Sequence, residues 1–401
     1  MMMMMMMMNI DQLRQDTPAT DRLIHLNNAG AGLMPTPVLA VMQQYLTHEA
    51  QHGGYETAAT HAHALTDVYA QAAQLLNAHP RNIALASSAT DAYARALSAI
   101  PWQRGNIILT TNDDYISNQV AFLSLQKRFG VRVVRADDYP DGGVIPNQLI
   151  ALARQLRPTV LAVTHVPTNA GRVQPVEAFG AVAREVGAWY VVDACQSVGQ
   201  LVVDCQAIEA DFLCLTGRKF LRGPRGTGLL YVSDRALEAG LEPLFIDMRG
   251  ADWATPDTYL PQPTARRFEQ WESAPALVLG LAAALRYANA VGVPAIAARN
   301  AALLSRLRAG LAGLPGLRLL EETVSCHQQA ASLLLFTLPG QQPDHLQAHL
   351  KAHHINFSMS YTNFALIDWQ RKGVDWAVRF SPHYYNTEAE IDTAVEVMNA
   401  F

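Results

Sequence analysis

The stretch WYVVDACQSVGQLVVDCQAIEADFLCLTGRKFLRGPRGTG, residues 189–228, decides how this chain is read. It opens with an apolar run, Trp189 to Val192, that reads as a buried strand and stops on Asp193. A polar turn with Cys195, Gln196 and Ser197 follows, then an amphipathic piece from Val202 to Ala210. A second apolar run, Asp211 to Leu215, ends at Thr216-Gly217-Arg218-Lys219. Two buried strands therefore deliver one carboxylate and one lysine at their carboxyl ends. In open α/β sheets that edge is where ligands bind.

Pyridoxal phosphate chemistry wants such a pair. A lysine amine holds the aldehyde as a Schiff base, and a carboxylate keeps the pyridine nitrogen protonated so that the ring accepts electrons from a substrate carbanion. Asp193 and Lys219 fit those roles. Thr216 and Arg218 would then face the phosphate, where a hydroxyl and a fixed cation give charge-assisted hydrogen bonds. Taken singly, Asp193 reads as a turn cap and Lys219 as a surface lysine. The strand-end aspartate together with T-G-R-K at the end of the next strand is specific.

This stretch resembles the class V fold of pyridoxal phosphate enzymes, which contains cysteine desulfurases, selenocysteine lyases, isopenicillin N epimerase-like proteins and C-S lyases of sulfur-amino-acid metabolism. The resemblance runs from Leu26 to the C-terminus. It implies the fold type I architecture: an α/β chain with a mainly parallel seven-stranded sheet in a large domain and a smaller α+β C-terminal domain. The expected division is a tail and short helix over 1–22, the cofactor-binding domain over 23–274, and a connector helix with the small domain over 275–401. The fold also implies a homodimer, in which loops of both subunits build each site.

Composition is consistent with this. A chain of 401 residues, 50% hydrophobic and 16% charged, buries a large core and has room for more than one domain. A net charge of -5 with no basic stripe excludes a nucleic-acid footprint. The four cysteines show no C-x-x-C spacing, so a reducing cytoplasm is the expected home. The leading eight methionines lack the basic and small-residue regions of a signal peptide and read as a tail outside the fold. No apolar run reaches the roughly 20 residues of a membrane span. His48, His52, His61 and His63 have no carboxylate or cysteine at a ligating spacing and read as surface histidines, so no metal site is expected.

The other candidate residues come from the chain in order. His25 to Pro35 runs from a brief strand into a glycine-rich turn; Gly30-x-Gly32 is only half a dinucleotide fingerprint, because Pro35 replaces its continuation. The resemblance places this turn at the substrate pocket, with Asn28 and Ala29 approaching the substrate carboxylate. Tyr55 stands where cysteine desulfurases carry a histidine, which implies a different substrate pocket. Ser87 to Asp91 is an N-cap sequence opening the helix Ala92 to Ile100, and such a helix end binds anions. Ser88, Ala89 and Thr90 are therefore the phosphate binders. Tyr115 is the aromatic candidate to stack on the cofactor ring. His165 ends a strand, beside the ring or simply closing the strand. Thr168 and Asn169 compete for the phenolic oxygen of the cofactor, the desulfurase asparagine aligning better with Thr168, and by resemblance Gln196 contacts the same oxygen. Arg379, in V-R-F-S-P-H-Y-Y-N, resembles the family arginine that grips the amino-acid carboxylate in a bidentate pair. Bulky Trp271 replaces the small residues that lead to an inter-subunit phosphate contact, leaving Arg267 or Ser273 to supply it.

The departures bear on the reaction. A cysteine desulfurase carries a thiolate on a mobile loop of its small domain, yet residues 355–374 contain no cysteine and Cys326 lies too early. The sequence therefore leads to expecting a C-S β-lyase that acts on a cysteine conjugate or sulfoxide and releases pyruvate and ammonia. A class V aminotransferase or epimerase of a small amino acid is the alternative.

Overall fold

The computed structural model describes residues 8–140, 142–320 and 331–401. Its large domain is built on a seven-stranded sheet. In spatial order the strands are Ile83–Ala86, Gly228–Val232, Phe212–Thr216, Trp189–Asp193, Val160–Thr164, Ile107–Thr110 and Arg132–Arg135. The five strands from Phe212–Thr216 to Arg132–Arg135 pair in parallel, and the first two add antiparallel edges. Val160–Thr164, Trp189–Asp193 and Phe212–Thr216 are apolar runs because helices cover both faces of a parallel sheet. The helices Val176–Val186, Ala62–Leu75 and Pro275–Val291 pack on one face, and Ala89–Ser98 and Ile116–Phe129 on the other. Register pairs Thr164 with Asp193 and Asp193 with Cys214. Val160–Thr164 and Trp189–Asp193 therefore finish level, and Phe212–Thr216 runs two residues further along the same edge.

The small domain carries a four-stranded antiparallel sheet in the order Arg318–Leu319, Leu334–Thr337, Trp376–Phe380, Ser358–Tyr361. The helices Val293–Ala312, Pro343–Ala352 and Glu388–Asn399 close its core. The last of these starts with a capping box, in which the Thr387 hydroxyl accepts from the Glu390 amide and the Glu390 carboxylate accepts from the Thr387 amide. The N-terminal segment docks here as well. Ile24–His25 pairs in parallel with Ile355–Asn356, and Arg14 meets Glu390 at 2.7 Å.

Some elements differ from the sequence reading. From Ala58 to Leu76 the sequence reads as one long helix; the structure has two, Gly54–Thr60 and Ala62–Leu75, broken at His61, whose Nδ1 lies 2.9 Å from the Thr57 carbonyl. Leu241 to Pro263, aromatic and proline-rich, reads as irregular in the sequence; within it the structure has a hairpin, Ala251–Thr255 with Thr258–Pro261. Almost every residue of that hairpin is exposed. Neither face is buried in this chain, so no apolar alternation marks the strands.

Candidate active site

The carboxyl edge of the parallel strands opens into a pocket, the place where ligands bind in open α/β sheets. Asp193 and Lys219 both line it. Lys219 is 7% exposed. Burial draws its amine down from the ordinary lysine value to about 8; Cys195 and Asp193 oppose that shift, and Arg218 and Arg379 add to it. A neutral amine is thus accessible near physiological pH, as a nucleophile or a base requires. Its Nζ lies 5.9 Å from the centre of the Tyr115 ring, which forms one wall of the pocket.

Asp193 is held at both oxygens. Oδ1 accepts the Cys195 amide at 3.0 Å and Oδ2 accepts Asn118 Nδ2 at 2.9 Å. The Cys195 thiol also lines the pocket, and burial, reinforced by Asp193, raises its pKa well above the usual thiol range. It is therefore a neutral thiol and no nucleophile.

Ser88, Ala89 and Thr90 line the opposite end, where the helix Ala89–Ser98 begins. Ser88 Oγ caps the helix by accepting the Asp91 amide at 3.1 Å. The amides of the first turn have no partner within a helix and form an anion cradle with the helix dipole. Gly228 lets the neighbouring strand close on this turn: a β-carbon there would stand 2.4 Å from the Ser88 carbonyl carbon. Thr216 and Arg218 lie in the same pocket. The Arg218 guanidinium is engaged by the Gly30 carbonyl, and the Arg218 carbonyl accepts the Gly32 amide at 2.8 Å. Arg218 therefore ties the N-terminal glycine turn to the lysine loop in addition to facing the cavity.

Thr168 is the pocket residue of the Thr168/Asn169 pair. Its hydroxyl accepts from Gln196 Nε2 at 2.7 Å and from Arg379 Nη1 at 2.6 Å. Arg379 comes from the small domain, on Trp376–Phe380, and stands behind Thr168. Burial, with Arg218 nearby, lowers its pKa to about 10.

Several residues expected at the site do not line it. Thr164 and Val166 line the pocket, and His165 between them does not. His165 is buried, and burial lowers its pKa to about 4. Asn169 donates to the Phe364 carbonyl at 2.9 Å and acts as a tie to the small domain. Asn28 is fully buried; its amide donates to the Ser381 carbonyl at 2.9 Å and its oxygen accepts the Tyr385 hydroxyl, so the side chain is spent on the fold. Ala29 contributes only its carbonyl, which accepts Gln196 at 3.1 Å. Tyr55 is 77% exposed on the helix Gly54–Thr60, outside the pocket of its own chain. Arg267 donates to the carbonyls of Gln262, Leu237 and Leu241, which leaves it committed within its own subunit, whereas Ser273 is exposed. Among the described residues no group of three or more histidine, cysteine or acidic side chains is placed to hold a metal.

Sequence reasoning missed Asn118, on the first turn of Ile116–Phe129, and Arg222. Arg222 is 1% exposed, stacks 4.4 Å from the Tyr385 ring centre and donates to the Tyr384 hydroxyl at 2.7 Å. It pins the chain just after Lys219 against the H-Y-Y-N segment. In the sequence it reads as one more loop cation.

The pocket fits pyridoxal phosphate on its own geometry. A carboxylate, a lowered-pKa lysine, an aromatic wall and a helix N-terminus converge, and two buried polar atoms, Gln196 Oε1 and Arg379 Nε, have no protein partner. Buried groups of this kind are ordinarily paired, so they mark where a polar ligand completes the site.

The family described as Aminotransferase class-V matches residues 24–394. A probable cysteine desulfurase of Methanothermobacter thermautotrophicus is 28% identical over 407 residues, covering 98% of this chain and 98% of the relative. A cysteine desulfurase of Dickeya dadantii is 30% identical over 403 residues, covering 96% of this chain and 95% of the relative. Among solved structures, the apo cysteine desulfurase of Thermococcus onnurineus NA1 matches with a TM-score of 0.87 and 26% identity over 97% of both chains.

These relatives overturn the expected β-lyase of cysteine conjugates or sulfoxides. That expectation rested on one missing cysteine in residues 355–374, and the desulfurase similarity runs through nearly the whole chain. A missing acceptor thiol changes where sulfur leaves, not how the Cβ–S bond is activated. With the family match and a pocket that fits the cofactor, this chain belongs to the class V aminotransferase family of pyridoxal phosphate enzymes.

Proposed function

We propose that the chain is a cysteine desulfurase-type enzyme that acts on L-cysteine and passes its sulfur to a thiol. The observation that carries the reading is the pocket lined by Lys219, Asp193 and Thr168, with Arg379 bonded to Thr168 from behind, in a chain whose curated relatives are named for this activity. Pyridoxal phosphate, when bound, delocalises the electron pair left at the substrate Cα. The residues do the rest. The Ala89 and Thr90 amides would hold the phosphate, Asp193 the ring nitrogen and Tyr115 a face of the ring, and Arg379 would orient the substrate carboxylate. Lys219, neutral near its pKa of about 8, takes and returns the substrate protons.

The overall reaction balances as cysteine plus a thiol giving alanine plus a persulfide. The Cβ–S bond breaks, an S–S bond forms, and the thiol proton ends on carbon. Among the described residues, Cys205 and Cys214 are buried in the core and Cys195 is held as a neutral thiol. The reading therefore has the acceptor thiol arrive through the pocket mouth from outside the described residues. The three described cysteines are free, which suits a reducing cytoplasm.

The enzyme acts as a homodimer in this reading. Phe245, Trp253, Met248 and Leu260 are 87%, 81%, 69% and 63% exposed. Apolar side chains concentrated on one segment mark a surface that a partner covers. Incubation of the cofactor-loaded protein with L-cysteine and excess dithiothreitol, followed by amino-acid analysis, tests the activity. Alanine supports it, and absence of alanine sinks it.

A further inference from the structure

Behind Asp193 lies a second buried carboxyl that the reaction does not use. Asp114 is 7% exposed, Asp193 5% and Asn118 4%. Asn118 Nδ2 lies 3.0 Å from Asp114 Oδ1 and 2.9 Å from Asp193 Oδ2, so one amide spans both acids. The network continues outward. Asp114 Oδ2 accepts Gln119 Nε2 at 2.8 Å, and Gln119 Oε1 accepts Arg135 Nη2 at 2.7 Å. Asp114 Oδ1 also accepts the Tyr115 amide at 2.7 Å and the Thr164 hydroxyl.

We propose that Asn118 is a positioning residue for the cofactor ring, clamping Asp193 to Asp114 and Tyr115. Two like charges this close repel, and each favours protonation of the other. An amide that gives one N–H to each offsets that repulsion and fixes their separation. Because Asp114 also holds the Tyr115 amide, the same network fixes two contacts of the ring: the carboxylate at its nitrogen and the aromatic wall on its face. Asn118 itself does not line the pocket. It acts through Asp193, which explains why no cofactor motif in the sequence points to it.

The test uses Asn118→Asp and Asn118→Leu, purified, stripped and reloaded with pyridoxal phosphate. Two quantities are read: the dissociation constant of the cofactor, and the pH midpoint of its visible absorbance change. Losing a hydrogen bond to a charged group is expected to weaken retention roughly tenfold or more. The midpoint is expected to move upward. An ill-held Asp193 leaves the ring nitrogen less protonated, and the Lys219-linked nitrogen then keeps its proton to higher pH. Asn118→Asp keeps the shape of the side chain, so it carries the test if Asn118→Leu does not fold. Wild-type affinity with a wild-type midpoint in both variants would overturn the proposal. Weaker retention with an unchanged midpoint would overturn it too, because packing alone would then explain Asn118. The result is independent of which amino acid the enzyme processes.

Discussion

Arg379 Nη1 donates to the Thr168 hydroxyl at 2.6 Å, joining an arginine of the small domain to the strand-end loop of the large one. The guanidinium is therefore pre-aimed before substrate binds, and its Nε remains free for the carboxylate. Arg379→Lys keeps the charge and loses the planar fork. Its kcat/KM is expected to fall by about 1.5–3 kcal/mol in transition-state binding, roughly 10- to 150-fold, mostly through KM. An unchanged KM for L-cysteine would remove Arg379 from the substrate site.

Lys219 sets the pH behaviour of the apo protein. Its folded pKa of about 8 lies below the ordinary 10.5 because of burial. Between those values the unfolded chain binds the extra proton, so the contribution of this group to stability rises with pH from about 8 to 10.5 and is least below 8. The penalty at neutral pH is at most on the order of 3 kcal/mol. Apo Lys219→Met is therefore expected to melt higher than the apo wild type at neutral pH, with a flatter profile above pH 8 in this window. A lower melting temperature at neutral pH would show that the lysine is not desolvated as described.

Gly32 tests the close approach of the N-terminal turn to the lysine loop. A β-carbon there would stand 2.5 Å from the Lys219 carbonyl oxygen, a backbone atom that cannot rotate away. Gly32→Ala is expected to cost about 1–3 kcal/mol by overpacking and to displace Lys219, lowering cofactor retention as well as melting temperature. Wild-type absorbance and stability in this variant would contradict the packing.

The sequence shows most of this arrangement, and the parts it conceals have a common cause. Asp193, Lys219 and the turn at Ser88 are legible because strand ends and helix caps are local patterns. Resemblance favours Thr168 over Asn169, and the structure supplies the physical reason: both sit in one loop, yet Thr168 lines the cavity while Asn169 donates to the Phe364 carbonyl. The sequence leaves His165 either beside the ring or closing its strand, and its side chain is not among those that line the pocket. Asn118 and Arg222 act through long-range partners, Asp193 in one case and Tyr384 and Tyr385 in the other, and no local pattern records such contacts.

The exposed segment around the hairpin makes a prediction about assembly. Phe245→Asp with Trp253→Asp is expected to shift sedimentation from dimer to monomer, since two of the most exposed apolar side chains become charged. If the wild type itself sediments as a stable monomer, the homodimer is wrong.

The measurement to make is the yield of alanine against released sulfur, counted as sulfane sulfur plus the sulfide that excess thiol frees from it, from L-cysteine and excess thiol, with Lys219→Ala as the control. Equal amounts of the two products, absent from the control, are what a desulfurase gives. Pyruvate and ammonia in place of alanine would mean that the Cβ–S bond is cleaved by elimination, and the proposed reaction would be wrong.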